Sequence, residues 1–171
     1  MEFSHLDKNG RVKMVDVSSK QKTQRTAIAM ASVRFPAECF DKIITDGVSK
    51  GDIFCIAKTA GIMGAKKTSE LIPLCHPIFM ASCDIKYKID KEINVIYIYS
   101  QAKSLDYTGV EMEAIVAANI AAVTIYDMCK AVSKNIMISD CTLLYKTGGK
   151  SGIFKNESIA SKHFENITEW L

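Results

Sequence analysis

Hydrophobic and polar positions alternate with the period of a β-strand in two stretches of the chain. One carries Cys83, Ile85, Tyr87 and Ile89, the other Ile93, Val95, Tyr97 and Tyr99. Strand side chains point to opposite faces in turn, so period two marks one buried face. Asp90-Lys91-Glu92 between them is a short polar turn, and the unit reads as an antiparallel hairpin. Thr26–Val33 alternates more roughly, with Ile28, Met30 and Ser32 sharing a face. A strand is the favoured reading there and a helix the alternative. Met14-Val-Asp-Val17 is a further short strand candidate, and residues 1–10 form a polar lead ending in the Asn9-Gly10 turn.

Helical spacing appears elsewhere. Pro36 suits a first turn, and Phe40, Ile43 and Ile44 form an i, i+3, i+4 stripe ending near Asp46-Gly47. A second helix is predicted from about Asp52 to Lys66, with small residues Ala60, Gly61, Gly64 and Ala65 that allow close approach. Ile72–Pro77 is rigid and non-helical, because each Pro biases the residue before it towards extended geometry. The longest helix is expected from Thr108 to about Val132, opened by a capping box of Thr108 with Glu111. Ile136, Ile138, Thr142 and Leu144 predict a last strand broken near Ser139-Asp140, followed by the glycine-rich loop Thr147–Gly152. Strand, helices, strand, strand, helix, strand is an α+β, ferredoxin-like βαββαβ arrangement with an antiparallel sheet and packed helices. Its 171 residues suit a single domain, with a core over about 12–152 and 153–171 as a peripheral C-terminal tail.

Composition narrows the class. Twenty-two basic and 19 acidic residues leave a net charge of +3, too balanced for a dedicated nucleic-acid binder. Nineteen Lys against 3 Arg make bidentate Arg recognition an exception on this surface. The six cysteines form no CxxC pair and have no zinc-knuckle spacing, so reduced thiols in a cytoplasmic protein are the simplest expectation. No signal peptide is visible at the N-terminus. The apolar run from about Val110 to Met128 contains Glu111, Glu113, Asn119 and Asp127, which fits a packed helix rather than a membrane span.

Four places carry candidate chemistry. Asp127 and Lys130, three apart on a helix, suit acid–base work if burial brings them near neutrality; a surface ion pair is the bland alternative. Glu113 stands fourteen residues before Asp127 on the same helix, about 21 Å away at 1.5 Å per residue. If both serve one site, a second subunit must supply one of them. Antiparallel copies of this helix, meeting along Ala117, Ala118, Ala121 and Ala122, would do so. Glu111 is already explained by the capping box. Cys75-His76 between two prolines offers a proton shuttle or phosphate donor, or simply a His satisfied in a turn; no partner pair makes it a metal site. Gly148-Gly149-Lys150-Ser151-Gly152 lacks the first glycine of a P-loop, since Leu144 stands there, yet glycines with Lys146 and Lys150 suit an anion. A flexible turn is the alternative. Lys50 and Lys66 add cations near helix ends, a pattern closer to a polyphosphate site than to a carboxylate clamp.

Leu71-Ile-Pro-Leu-Cys-His-Pro77, Thr108-Gly-Val-Glu-Met-Glu-Ala114, Thr124-Ile-Tyr-Asp-Met-Cys-Lys-Ala131 and Gly148-Gly-Lys-Ser-Gly152 closely resemble the cyclic pyranopterin monophosphate synthase family, the molybdenum cofactor biosynthesis protein C family. Met14–Ser18 and Lys50-Gly-Asp52 match too, and the resemblance spans roughly residues 4–155. It implies a lyase that converts a cyclised dihydro-GTP nucleotide to cyclic pyranopterin monophosphate and releases diphosphate. It implies a homo-oligomer, a hexamer built as a trimer of dimers, with interfacial sites and no nucleic-acid or membrane partner. By motif position Asp127 is the catalytic acid/base with Lys130 its partner, and His76 and Lys50 assist. Leu74, Cys75, His76, Glu111, Met112 and Glu113 would contact substrate; Lys66, Lys146 and Lys150 would handle the triphosphate. No cofactor or resident metal is called for, and whether Mg²⁺ accompanies the triphosphate is open. Tyr107 and Ile153 depart from the family pattern, at positions where a basic residue and an Asp are common. The competing classes are a non-catalytic nucleotide-binding module, expected to have lost Asp127 or Lys130, and a metal-dependent nucleotide hydrolase, which lacks a ligand cluster here.

Overall fold

The computed structural model describes residues 6–170. In order come β1 (Thr23–Arg34), α1 (Ala37–Asp46), α2 (Ile53–Lys66), α3 (Thr68–Leu71), β2 (Met80–Asp90) and β3 (Val95–Asp106). Then follow α4 (Glu111–Cys129), β4 (Met137–Thr147), β5 (Phe154–Lys155), α5 (Glu157–His163) and a 3₁₀ segment over Phe164–Trp170. The sheet runs β2-β3-β1-β4-β5 with antiparallel pairing throughout. Its first four strands have the ferredoxin-like order the hydrophobic pattern predicts.

β1 is a strand, and its irregular alternation has a physical cause: both of its faces are buried. Ala27, Ala29, Ala31 and Val33 belong to clusters under the helices, whereas Ile28 and Met30 pack with Tyr99, Leu144 and Ile167 on the other face. The break near Ser139-Asp140 is a register shift against β1, with Asp140 at φ 54° and its carboxylate accepting from Ser32.

α2 and α4 lie side by side on the sheet. A Cβ on Gly61 would stand 2.7 Å from the Ala117 carbonyl, and one on Gly64 2.7 Å from Ile120. The glycines therefore set the interhelical distance. Ala117, Ala118, Ala121 and Ala122 are all fully buried by this packing. The alanine surface expected to join two copies of the helix is consumed within one copy. By length and composition α4 passes for a membrane span, yet it is the core helix of the protein, as its embedded acidic residues predict.

Four local expectations are corrected. Met14–Val17 is extended chain outside the sheet. α4 begins at Glu111 with Val110 at the N-cap and no side-chain cap, so Thr108 forms no capping box. It ends at Cys129, three residues early, where Val132 N–H turns back to the Cys129 carbonyl. The segment expected as a peripheral tail packs across the sheet: Ile167 is fully buried, Gln101 donates to the Trp170 carbonyl, and the Tyr99 hydroxyl meets His163 Nδ1 at 2.7 Å. Residues 1–5 of the polar lead lie outside the described residues; the Asn9-Gly10 turn is present, with Gly10 at φ 73°.

Candidate active site

The N-terminal end of α4 is where most of the sequence candidates meet. The Asp106 carboxylate closes β3 by accepting from Tyr107 N–H at 2.7 Å and Phe79 N–H at 3.3 Å. That ties the proline-framed segment after α3 to the lead of α4. His76 donates from Nε2 to the Val15 carbonyl at 2.8 Å. A carbonyl only accepts, so Nε2 carries a hydrogen in this contact. The extended Met14–Val17 segment thus serves as a wall and as a rotamer lock for His76.

These elements enclose a pocket of about 300 Å³ lined by Leu74, Cys75, His76, Glu111, Met112 and Glu113, with Val15 and Lys20 opposite. Glu113 is 4% exposed. Burial pushes its carboxyl up to about 7; its own backbone N–H offsets part of the rise and Glu111 adds to it. A carboxyl whose pKa lies there can give up or take a proton near neutral pH. Burial and then Glu113 raise the Cys75 thiol, so it stays protonated and is no nucleophile.

A second pocket of about 360 Å³ shares Lys20, Thr108, Gly109 and Glu111 with the first and adds Arg25, Lys146 and Lys150. Gly148 and Gly149 take φ of 96° and 76°, and a Cβ on Gly149 would overlap the Arg25 guanidinium. Arg25 in turn donates to the carbonyls of Asp106 at 3.4 Å and Tyr107 at 3.2 Å. Lys146 approaches Glu111 at 3.5 Å and bonds the Ser151 hydroxyl. Glu111, freed from capping, is thereby the carboxylate between the two pockets.

Asp127, Lys130 and Lys50 form a separate cluster at the far end of α4. Lys130 Nζ is 2.7 Å from one carboxylate oxygen of Asp127, and Lys50 Nζ is 3.0 Å from the other and 2.8 Å from the Asp127 carbonyl. All three side chains are largely exposed. Hydrogen bonds from Lys130 and then Lys50 hold the Asp127 carboxyl below its usual range, and Asp127 raises Lys130. Within one protomer, then, the pair is driven away from neutrality, contrary to the condition set for it. Lys66 lies elsewhere, beside a small cavity behind Glu113.

Lys20, Arg25, Val15 and Thr108 escaped the sequence reading. Arg25 had one signal: it is among only three arginines. Lys20 had none. Tyr107 lacks the expected charge, but Lys22 sits 5.2 Å over its ring. Ile153 is exposed in the loop before β5. Among the described residues no three His, Cys, Asp or Glu side chains cluster as metal ligands.

A ferredoxin-like sheet carrying a buried carboxyl poised near neutrality, beside a cation-lined glycine loop, is the layout of an acid–base enzyme. The family model described as MoaC matches residues 14–149, and relatives of high identity cover nearly the whole chain, so the chain belongs to the MoaC family. A cyclic pyranopterin monophosphate synthase of Oleidesulfovibrio alaskensis is 48% identical over 153 residues, 90% of this chain and 96% of the relative. That of Peptoclostridium acidaminophilum is 49% identical over 159 residues, 93% of this chain and all of the relative. That of Bacillus subtilis is 46% identical over 157 residues, 91% and 92% of the two chains.

Proposed function

We infer that the chain is a lyase of molybdenum cofactor biosynthesis, acting on (8S)-3′,8-cyclo-7,8-dihydroguanosine 5′-triphosphate to give cyclic pyranopterin monophosphate and diphosphate. The observation that carries this reading is the shared wall between the Glu113 pocket and the cationic pocket. A base with a triphosphate tail needs such a pair of compartments. The guanine-derived ring lies against Leu74, Cys75, Met112 and Glu113, and the triphosphate runs to Lys20, Arg25, Lys146 and Lys150. Glu113 and His76 move protons during ring opening and pterin formation. The lysines hold the charge that grows as diphosphate leaves.

Asp127, Lys130 and Lys50 enter this reading from a second copy of the chain in a homo-oligomer, because they stand a helix length from Glu113 of their own copy. Burial against that copy would desolvate both charges, which favours their neutral forms and opposes the attraction that now holds the pair away from neutrality. The reading requires no resident metal or cofactor and places the protein in the cytosol. Anaerobic incubation with the cyclised nucleotide tests it, with pterin product and diphosphate as readouts. Wild-type protein that forms neither overturns it.

A further inference from the structure

Glu113 lines two cavities. In front is the pocket with His76; behind is a cavity of about 130 Å³ lined by Lys66, Thr68, Ser69 and Met80. A buried carboxyl that works as acid and base must exchange its proton between turnovers. In the reading above, substrate fills the front pocket during reaction and excludes water from it. The rear cavity has room for water, which needs two to four polar partners to be held. The Glu113 carboxyl, the Ser69 hydroxyl, the Lys66 ammonium and the acceptor side of Thr68 supply them. Thr68 spends its own proton on the Ala65 carbonyl at 3.0 Å. Among the described residues no other side chain hydrogen-bonds the Glu113 carboxyl, so it is free to meet such water.

We propose that Glu113 exchanges protons with solvent through this rear cavity, with Ser69, Thr68 and Lys66 holding the connecting water. The proposal rests on the reading of Glu113 as the acid/base. Water in the cavity passes a proton to the carboxylate while accepting one from the next water outward, and the direction reverses when Glu113 must lose one. The ionisable groups around Glu113 are Glu111 on its own helix, Cys75 and His76 from the proline-framed segment, Lys66 from α2 and Lys20 from the N-terminal chain. Only Lys66 is on the rear side. It forms no ion pair with Glu113, so its part in the relay is to hold water.

Ser69 is the position at which to plug the cavity, since it is half-buried and lines the rear cavity but not the front pocket. In the full-length enzyme, Ser69→Leu is expected to lower kcat about tenfold, a fraction of a full acid–base contribution. KM should not change, and the solvent deuterium isotope effect on kcat should rise as proton exchange becomes limiting. Ser69→Ala leaves the cavity open but removes one of the water's partners, and is expected to fall between wild type and Ser69→Leu in kcat and isotope effect, with KM unchanged. Ser69→Val, a smaller plug, replaces the Leu variant if that one fails to fold. A plugged variant with wild-type kcat and isotope effect, beside an inactive Glu113→Gln enzyme, overturns the relay and leaves the assigned reaction standing. A fully active Glu113→Gln enzyme overturns the role of Glu113, and the relay with it.

Discussion

The two ends of α4 carry the same kinds of residue in opposite environments. At the N-terminal end Glu113 is buried, lacks a cationic partner, and is pushed up to about 7. At the C-terminal end Asp127 is exposed, gripped by two lysines and held low. Desolvation outweighs everything else at one end and hydrogen-bonded cations do so at the other. An acidic residue with a nearby lysine is therefore poor evidence of an acid–base group; the water around it decides. Within a single copy the N-terminal end holds a buried carboxyl poised near neutrality, and the C-terminal end an exposed one locked in ion pairs.

The largest expected effect tests the first end. Glu113→Gln should lower kcat by about 10²–10⁴ while the fold persists. It should also stabilise the protein at alkaline pH. A folded-state pKa of about 7 against a reference of 4.5 means the native state favours the protonated carboxyl. The associated stability is present below pH 4.5 and is lost as pH rises through 7. At pH 8 the charged, buried carboxylate costs roughly 3 kcal/mol, at 1.36 kcal/mol per pKa unit, an upper figure for a group that relaxes. Urea unfolding of wild type and Glu113→Gln across pH 4–9 should give curves that diverge on the alkaline side. Curves that stay parallel would mean the carboxyl is hydrated and the contrast between the ends is smaller than drawn.

The second test joins the ends. Asp127→Asn should abolish most activity yet leave Tm unchanged, since exposed ion pairs contribute little to stability. Mixing Asp127→Asn with Glu113→Gln protein, under conditions that exchange subunits, should recover activity that neither shows alone, because one of the mixed sites is intact. No recovery in a demonstrably mixed oligomer would mean that the two ends do not share a site.

Much of this was legible in the sequence, for reasons that differ by position. The β2–β3 hairpin showed alternation through Cys83, Ile85, Tyr87 and Ile89 of half-exposed β2, with a polar turn after it, although β3 is itself buried along most of its length. β1 did not, since a central strand buried on both faces has no polar face to alternate with. The pairing of Cys75 and His76 with Met112 and Glu113 came through motif resemblance, while the environment of Glu113 came from neither spacing nor motif. Burial is a property of what the chain folds against. Thr108 with Glu111 matched a capping box in letters only: the helix starts three residues later, and Glu111 turns towards Lys146 instead. Lys20 gave no signal and Arg25 only its rarity, because both come to the site from the chain at the start of β1, far in sequence from the motifs. The tail was misjudged because its few anchors, Ile167, Trp170 and His163, sit among polar residues.

Between its ends, α4 is held by the glycines of α2, and this gives a third, smaller prediction. Gly61→Ala should destabilise the protein by about 1–3 kcal/mol, the usual cost of overpacking, because its methyl would press on the Ala117 carbonyl. The effect should appear equally at all protein concentrations. A concentration-dependent loss would instead point to α4 alanines packing between copies, the arrangement the buried stripe argues against.

The smallest expected effect lies on the opposite face of the sheet and has the opposite sign in pH from Glu113. Asn166 donates to the Tyr99 hydroxyl at 3.1 Å, which leaves the Tyr99 proton for His163 Nδ1 whenever that nitrogen is unprotonated. Burial, followed by Lys88 and Lys162, lowers the His163 pKa. A depressed folded-state pKa contributes stability that is present above 6.5 and lost as pH falls through the lower folded value. Acidification should thus loosen the C-terminal segment locally. Trp170 is the only tryptophan, and it sits under Lys86 at 4.6 Å, so its fluorescence reports this segment alone. The signal should shift only below the reference value of 6.5, while far-UV circular dichroism of the sheet holds. His163→Phe keeps an aromatic ring against Tyr97 but cannot titrate, and its Trp170 signal should be flat over the same range. A titration unchanged in His163→Phe would remove His163 as the latch of the tail.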